Sequence, residues 1–407
     1  MKKGLISVVL MLTLVLGVIA AACAAPKPTP TPLPTATPRP TPTVGPAATP
    51  APTSVGPTAT PAVAPTAAPT ATPGPTAAAA PTPTAGPGAA PGKVYKWVYA
   101  SPVAATAVPW FVQLLREIEE ASGGILEIEY LAKGEHPYSD PDLIKAVRDG
   151  LVDMAYNTSG YISGTDPKPA LMTLPFILAG ATDDEIFWLW DKMYDDVWAP
   201  VLDKYNQEIL ALQWATDMVI SATVPATSFE GVKGHPLRAV GKEQADLIAA
   251  VGFRPEVIAW GEVPAAIQRG IVDGVWVSVS SPYALGFYEN LKYITLAPGA
   301  STLDVPQMVN RNALSELPES ARDAIRGKFE EWRKMVTDAR TQANSLAAWK
   351  AVAEYGVNVV RMPQAMMEDI QKRVRPVWDD WARRVGPEGP QLIDKLQSLR
   401  KEWAKTH

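Results

Sequence analysis

The sequence predicts an α/β fold arranged as two lobes, and three observations carry that reading. Strand-like and helix-like runs alternate from Val94 to Tyr293, the order of βαβα units. The segment with apolar periodicity, Val94 to His407, is 314 of the 407 residues, too long for one small core. Its last third is helical, with an amphipathic run from Glu319 to Tyr355 that would span about 55 Å, more than one lobe's width.

Taken in order, Val94–Ala100 reads as a strand. Pro109–Ala121 follows as a helix, with Trp110, Phe111, Leu114, Leu115 and Ile118 on one stripe and Gly123-Gly124 as the stop. Leu126, Ile128 and Tyr130 alternate with Glu127 and Glu129 as a half-buried strand. Asp140-Pro141 predicts a cap and first turn for a helix ending at Gly150, and Leu151–Ala155 a further strand. Ile209–Gln213 is a strand ending at Trp214. From Phe229 the chain reads strand (carrying Arg238 outward), helix Lys242–Ala250 stopped by Gly252, strand Glu256–Ala259, helix to Gly270, then strand IVDGVWV. In the amphipathic run Ile325, Phe329, Trp332, Val336, Ala339, Ala343 and Leu346 recur at threes and fours up to Gly356. Two helices bent near Asn344-Ser345 are the alternative to one. Pro363 opens a helix through Arg384, and Pro390–Ala404 is the last.

The N-terminus predicts export. Met1-Lys2-Lys3 precedes an uncharged, mostly apolar run, Leu5–Ile19, about 15 residues long and shorter than the roughly 20 a permanent spanning helix needs. Ala20-Ala21-Ala22 then meets Cys23, the sole cysteine, so residues 1–22 read as a lipoprotein signal peptide and Cys23 as the lipidated residue, although Ala20 stands where leucine is usual. An ordinary A-x-A cleavage is the alternative. Residues 23–92 read as a tether: 21 of the 41 prolines lie between 24 and 92 among Thr and Ala, with only Lys27 and Arg39 charged. Such composition cannot bury enough surface to order itself, and its polyproline-like reach approaches about 200 Å.

A net charge of −5 without a basic stripe argues against nucleic acid and anionic lipid surfaces as partners. Three scattered histidines, His136, His235 and His407, with one cysteine give no metal-ligand spacing, and no nucleophile elbow or phosphate loop occurs. His136 and His235 read as surface loop residues. No cofactor and no enzymatic activity are expected.

The ordered set VKG, Arg238, GEV-x-x-A-I-Q-x-G-x-VDG and FYE-x-x-KY resembles the second domain of TRAP-type (tripartite ATP-independent periplasmic) solute-binding proteins, the DctP-like family. L-x-K-A-V-x-D-G-x-VDMA followed by Leu174-Pro175-Phe176 resembles the first. The resemblance implies a two-lobed, periplasmic-binding-protein-like fold with an interlobe cleft and a long helix crossing both lobes. The boundaries expected are 93–215 plus 303–342 for lobe I and 216–302 plus 343–407 for lobe II. It also implies that Arg238 pairs with a ligand carboxylate, as the bidentate guanidinium fork allows.

Tyr156 and Tyr161 follow a strand's carboxyl end, where α/β ligand sites lie. With Trp214, Trp276 and Tyr283 they are candidate cleft walls, whereas Trp260 and Glu262 read as structural. Many family members carry Q-E-N-P after VDG; here Val275-Trp276-Val277-Ser278 stands there, so Val277 replaces the ligand-bonding amide and Ser278 is its nearest substitute. Asp217, counted with the site, stands where sialic-acid-type members have a second arginine, which disfavours a sugar acid. The reading is a lipid-anchored extracytoplasmic solute-binding protein that captures a small, rather apolar carboxylate. It would hand that solute to the small and large membrane subunits of an ion-gradient-driven permease. A ligand-sensing module and, further off, a surface-anchored hydrolase are the alternatives.

Overall fold

The computed structural model describes residues 93–216 and 218–407. The signal segment, Cys23, the tether and Asp217 lie outside those residues. Two mixed sheets organise the chain. The first contains β1 (Tyr95–Ala100), β2 (Leu126–Leu131), β3 (Met154–Tyr156), β4 (Gln207–Ala215) and β10 (Leu303–Asn310), in the order β2-β1-β3-β10-β4. The second contains β5 (Met218–Ala222), β6 (Pro236–Ala239), β7 (Arg254–Val257), β8 (Gly274–Ser278), β9 (Tyr293–Leu296) and β11 (Asn358–Arg361), in the order β11-β9-β5-β8-β6-β7. The β1–β2, β1–β3, β6–β7, β6–β8 and β9–β11 pairs are parallel; β10 and β5 run antiparallel to their neighbours. The chain therefore passes between sheets three times, from β4 into β5, from β9 into β10 and from β10 to β11, and Leu303 pairs with Ala215 where the first two crossings lie side by side.

Local sequence explains the elements. In β2 the burial alternates as Leu126 and Ile128 turn inward and the glutamates outward. The helix α1 (Pro109–Ala121) buries Phe111, Leu114, Leu115 and Ile118, with Pro109 in its first turn. The strand expected at 151–155 is Met154–Tyr156 and that expected at 256–259 is Arg254–Val257. Asp140 does not cap the next helix. It lies in a 3₁₀ turn, fully buried, where it accepts from other chain segments, and α2 begins only at Leu143 and ends at Arg148. Further along, α3 (Ser159–Ile162) is followed by α4 (Asp183–Val197), α5 (Ala199–Lys204), α6 (Phe229–Val232), α7 (Lys242–Val251), α8 (Val263–Gln268), α9 (Ser280–Ala284) and α10 (Arg311–Glu316).

The amphipathic run is one helix, α11 (Glu319–Tyr355), with no break at Asn344. Its first half buries Ala321, Ile325, Phe329 and Trp332 with α1 and the first sheet; its second half buries Asn344, Ala347 and Ala351 on the side of the second. Each large apolar side chain so buried contributes roughly 1.5–3 kcal/mol. Asn344 is accommodated mid-helix because its Oδ1 accepts the N–H of Ser280 at 3.1 Å. Gly356, at φ 66°, supplies the left-handed C-cap. Beyond β11 the single helix expected from Pro363 to Arg384 is two, α12 (Gln364–Arg373) and α13 (Arg375–Val385), followed by α14 (Gly389–Thr406). Pro376 is the cause, since it has no N–H for the preceding turn and its ring clashes there, so it starts a helix rather than continuing one. Among the described residues no helix is long and apolar enough to cross a membrane.

Candidate functional site

A cavity of about 270 Å³ lies between the two sheets. From the first sheet and its connections come Tyr99, Tyr130, Tyr156, Thr158, Tyr161, Gln213, Ala215, Leu303, Val305 and Gln307. The second contributes Met218, Arg238, Val240, Trp260, Val277 and Ser278, with Ser280 and Ser281 at the start of α9. Trp110 and Phe111 reach it from α1 and Trp332 from α11. On β10 the three lining residues alternate, Leu303, Val305 and Gln307, as a strand requires.

Among the described residues Arg238 is the only charged side chain in this lining. Although it sits on a short strand, it does not project to solvent: it is 2 % exposed, because Trp260 covers it with the guanidinium carbon 5.4 Å from the ring centre. Its Nε donates to the carbonyl of Ile258 at 2.9 Å, which fixes the plane of the fork. Its Nη2 is buried without a hydrogen-bond partner. A buried, unpaired guanidinium nitrogen is expensive, and the physical remedy is an anion brought into the cavity.

The two tyrosines come next to it. The Trp260 N–H donates to the Tyr161 hydroxyl at 3.0 Å, tying α3 to the connection after β7. Burial, then the neighbouring Tyr161, holds the Tyr156 phenol well above its ordinary value. Burial also raises Tyr161, with the positive charge of Arg238 opposing. Both phenols are therefore protonated donors at neutral pH. Three more contacts join the halves near this point. Gly261 N–H donates to Asp140 Oδ2 at 2.8 Å, Arg384 bridges Glu243 and the Ser163 carbonyl, and Gly241 abuts Gly160.

Of the residues expected at the site, Arg238, Tyr156, Tyr161, Val277 and Ser278 meet at this cavity. Trp214 and Trp276 do not line it. On β4 the lining positions are Gln213 and Ala215, so alternation turns Trp214 to the opposite face, against Trp190 at 6.2 Å. On β8 Val277 faces inward and Trp276 lies fully buried behind the strand. Tyr283 also lies off the lining, where its hydroxyl donates to Glu354 Oε2 at 2.8 Å.

Trp260, read from the sequence as structural, is a lining residue. His136, read as a surface residue, is 6 % exposed and its Nε2 lies 3.0 Å from the Ser101 carbonyl. His235 is half-buried and paired with Asp273 at 2.7 Å. The aromatic residues Tyr99, Phe111, Tyr130 and Trp332 were not singled out. Their only sequence signal is the apolar stripe of their own elements, which reads equally well as core. No cluster of metal-ligating side chains occurs among the described residues.

Comparison with known proteins agrees with this architecture. The profile of the bacterial extracellular solute-binding protein family 7 (DctP) matches residues 103–384. The ectoine-binding periplasmic protein TeaA of Halomonas elongata is 22 % identical over 280 residues, covering 65 % of this chain and 78 % of its own. A Bordetella pertussis extracytoplasmic solute receptor binding pyroglutamic acid superposes with a TM-score of 0.67 at 20 % identity, covering 75 % of this chain and 100 % of its own. A TRAP periplasmic solute-binding protein of Desulfovibrio salexigens with bound orotic acid gives a TM-score of 0.67 at 18 % identity, over 76 % of this chain and 99 % of its own. A buried cationic pocket between two mixed sheets, crossed by one long helix and lying within the segment that the family profile spans, places this chain in bacterial extracellular solute-binding protein family 7, the DctP family of TRAP solute receptors.

Proposed function

We propose that this receptor captures a small, rather apolar organic acid in the cavity between its lobes, with Arg238 as partner of the carboxylate. The observation that carries the reading is the buried Arg238 Nη2 without a partner in a cavity where the described residues place no other charge. A carboxylate offers two acceptors to the fork and neutralises it. At about 270 Å³ the space is at the lower end of ligand sites, which suits a small solute. The protonated phenols of Tyr156 and Tyr161 and the hydroxyl of Ser278 supply further donors; Val277, Val305 and Leu303 supply the apolar floor. Relatives binding pyroglutamic and orotic acids support an acid as solute.

Contacts from both lobes stabilise the closed arrangement by the difference they make between open and closed states. The loaded receptor then delivers its solute to a TRAP permease at the membrane, to which Cys23 anchors it through the 23–92 tether. The proposed lobes are 93–215 with 303–342 and 216–302 with 343–407, the last helix, α14, reaching back to pack on α4 through Arg400–Glu185 and Trp403–Trp188.

The test is mass spectrometry of solute co-purified with the protein, followed by titration of that solute into Arg238 variants. Arg238→Met should weaken binding by about 2–5 kcal/mol, roughly thirtyfold or more, with Arg238→Lys between it and the wild type. Equal affinity in Arg238→Met would remove the carboxylate from this site.

A further inference from the structure

The side of the cavity formed by the first sheet is a continuous surface of rings. Tyr99 lies 4.7 Å from Phe111 and 5.6 Å from Tyr130, Phe111 lies 5.6 Å from Trp332, and Trp332 is stacked on Trp110 at 5.9 Å, all between ring centres. These rings touch one another, so they form a wall rather than a cage. A cage for an ammonium group sets rings on different sides of the cation, and among the described residues no carboxylate lines this cavity to assist one. Nor does the wall present the ring of hydrogen-bonding groups a polyhydroxylated solute needs: the Tyr130 hydroxyl is committed to the Val103 carbonyl at 2.7 Å and that of Tyr99 to Gln307 Oε1 at 2.6 Å. The second bond also sets the amide of Gln307. With its oxygen engaged by Tyr99, the group it has left for the cavity is its N–H₂, a donor seeking an acceptor.

We infer that the captured acid carries a flat, conjugated ring that lies against the Tyr99–Phe111–Tyr130–Trp332 wall, with a ring carbonyl or ring nitrogen accepting from Gln307. The inference rests on the reading of Arg238 as the carboxylate's partner and adds the chemistry of the rest of the ligand. Branched aliphatic acids gain burial from such a wall, but only a ring gains stacking as well, about two- to tenfold per favourable pair.

Isothermal titration of the full chain with orotate, benzoate, 3-methylbutanoate and glucuronate separates the possibilities. Both ring acids should bind about tenfold or more tightly than the other two, with orotate ahead of benzoate because it alone brings ring carbonyls. Gln307→Leu should abolish the advantage of orotate over benzoate. Trp332→Leu should weaken both ring acids by about tenfold and 3-methylbutanoate by less than about threefold. Trp110, 45 % exposed, provides a variant that does not open the core: Trp110→Ala should weaken the ring acids in the same sense, and thermal melts of the ligand-free variants check folding. If 3-methylbutanoate or glucuronate binds as tightly as the ring acids, or no ring acid binds, the inference is overturned. In the first case the carboxylate reading stands so long as Arg238→Met weakens every acid. If Arg238→Met weakens none of them, the fault lies in that reading instead.

Discussion

Gly241 faces the carbonyl of Gly160 so closely that a Cβ on it would stand 2.1 Å from that oxygen. The two residues belong to opposite halves, Gly160 in α3 beside the first sheet and Gly241 at the start of α7 beside the second. Gly241 has an extended φ of −169°, open to any residue, so the close approach alone demands glycine.

A methyl group at this point should act as a doorstop. Gly241→Ala is expected to hold the halves apart and weaken solute binding by at least about tenfold, since closure contacts are lost while the cleft residues remain. Small-angle scattering should show the loaded variant to be more open than the loaded wild type. Unchanged affinity together with an unchanged scattering profile would mean that the contact is not made in the bound state.

Asp304 should give the fold a pH dependence. It is fully buried on β10, and its Oδ1 accepts from the Ser159 N–H at 3.1 Å, the Ser159 hydroxyl at 2.8 Å and the Thr158 hydroxyl at 3.0 Å, while Oδ2 has no partner. Burial pushes its carboxyl up to about 6 from an ordinary 3.8, against those hydrogen bonds. The native state therefore holds this proton over a range where the unfolded chain has released it. The stability this confers is fully present below about pH 4 and is lost as pH rises to about 6, on the order of 3 kcal/mol in all. Asp304→Asn, which keeps an oxygen acceptor for Ser159 and Thr158, should flatten that slope in denaturant melts taken between pH 4 and 7. An equal slope in both proteins would assign it to other groups.

The proposed membrane anchor rests on Cys23. Expressed in a bacterial host, the wild type should partition with membranes, whereas Cys23→Ser should be released or left unprocessed. Equal membrane attachment of both after signal cleavage would exclude lipidation at this position.

Much of the fold was legible because local signals agreed with one another. Pro109 opened α1, Gly252 and Gly356 closed α7 and α11, and the period of Ile325, Phe329 and Trp332 ran unbroken. Arg238 stood out as a cation in an otherwise apolar strand of recognisable order. The aromatic positions were harder to read for a definite reason. Trp214 and Trp276 sit on strands buried on both faces, so hydrophobicity does not reveal which face meets the cleft, and a shift of one residue changes the answer. Tyr99, Phe111 and Trp332 converge from β1, α1 and α11, and no single segment of sequence contains that convergence. The division between α12 and α13 turned on Pro376, whose effect a periodic stripe running on to Trp381 concealed.

The unbroken course of α11 sets a length standard inside the receptor. Trp332 belongs to the aromatic wall, and Asn344, twelve residues on, holds the backbone of Ser280 at the opposite lip; along a helix axis these stations are about 18 Å apart. A hydrogen-bonded rod neither stretches nor shortens, so this separation is the same with the cleft loaded or empty. A rearrangement on capture that keeps both attachments is then a swing about the rod or a bend in it, not a slide along it. Solutes would be gauged in that direction by a fixed calliper and in the perpendicular direction by a movable jaw.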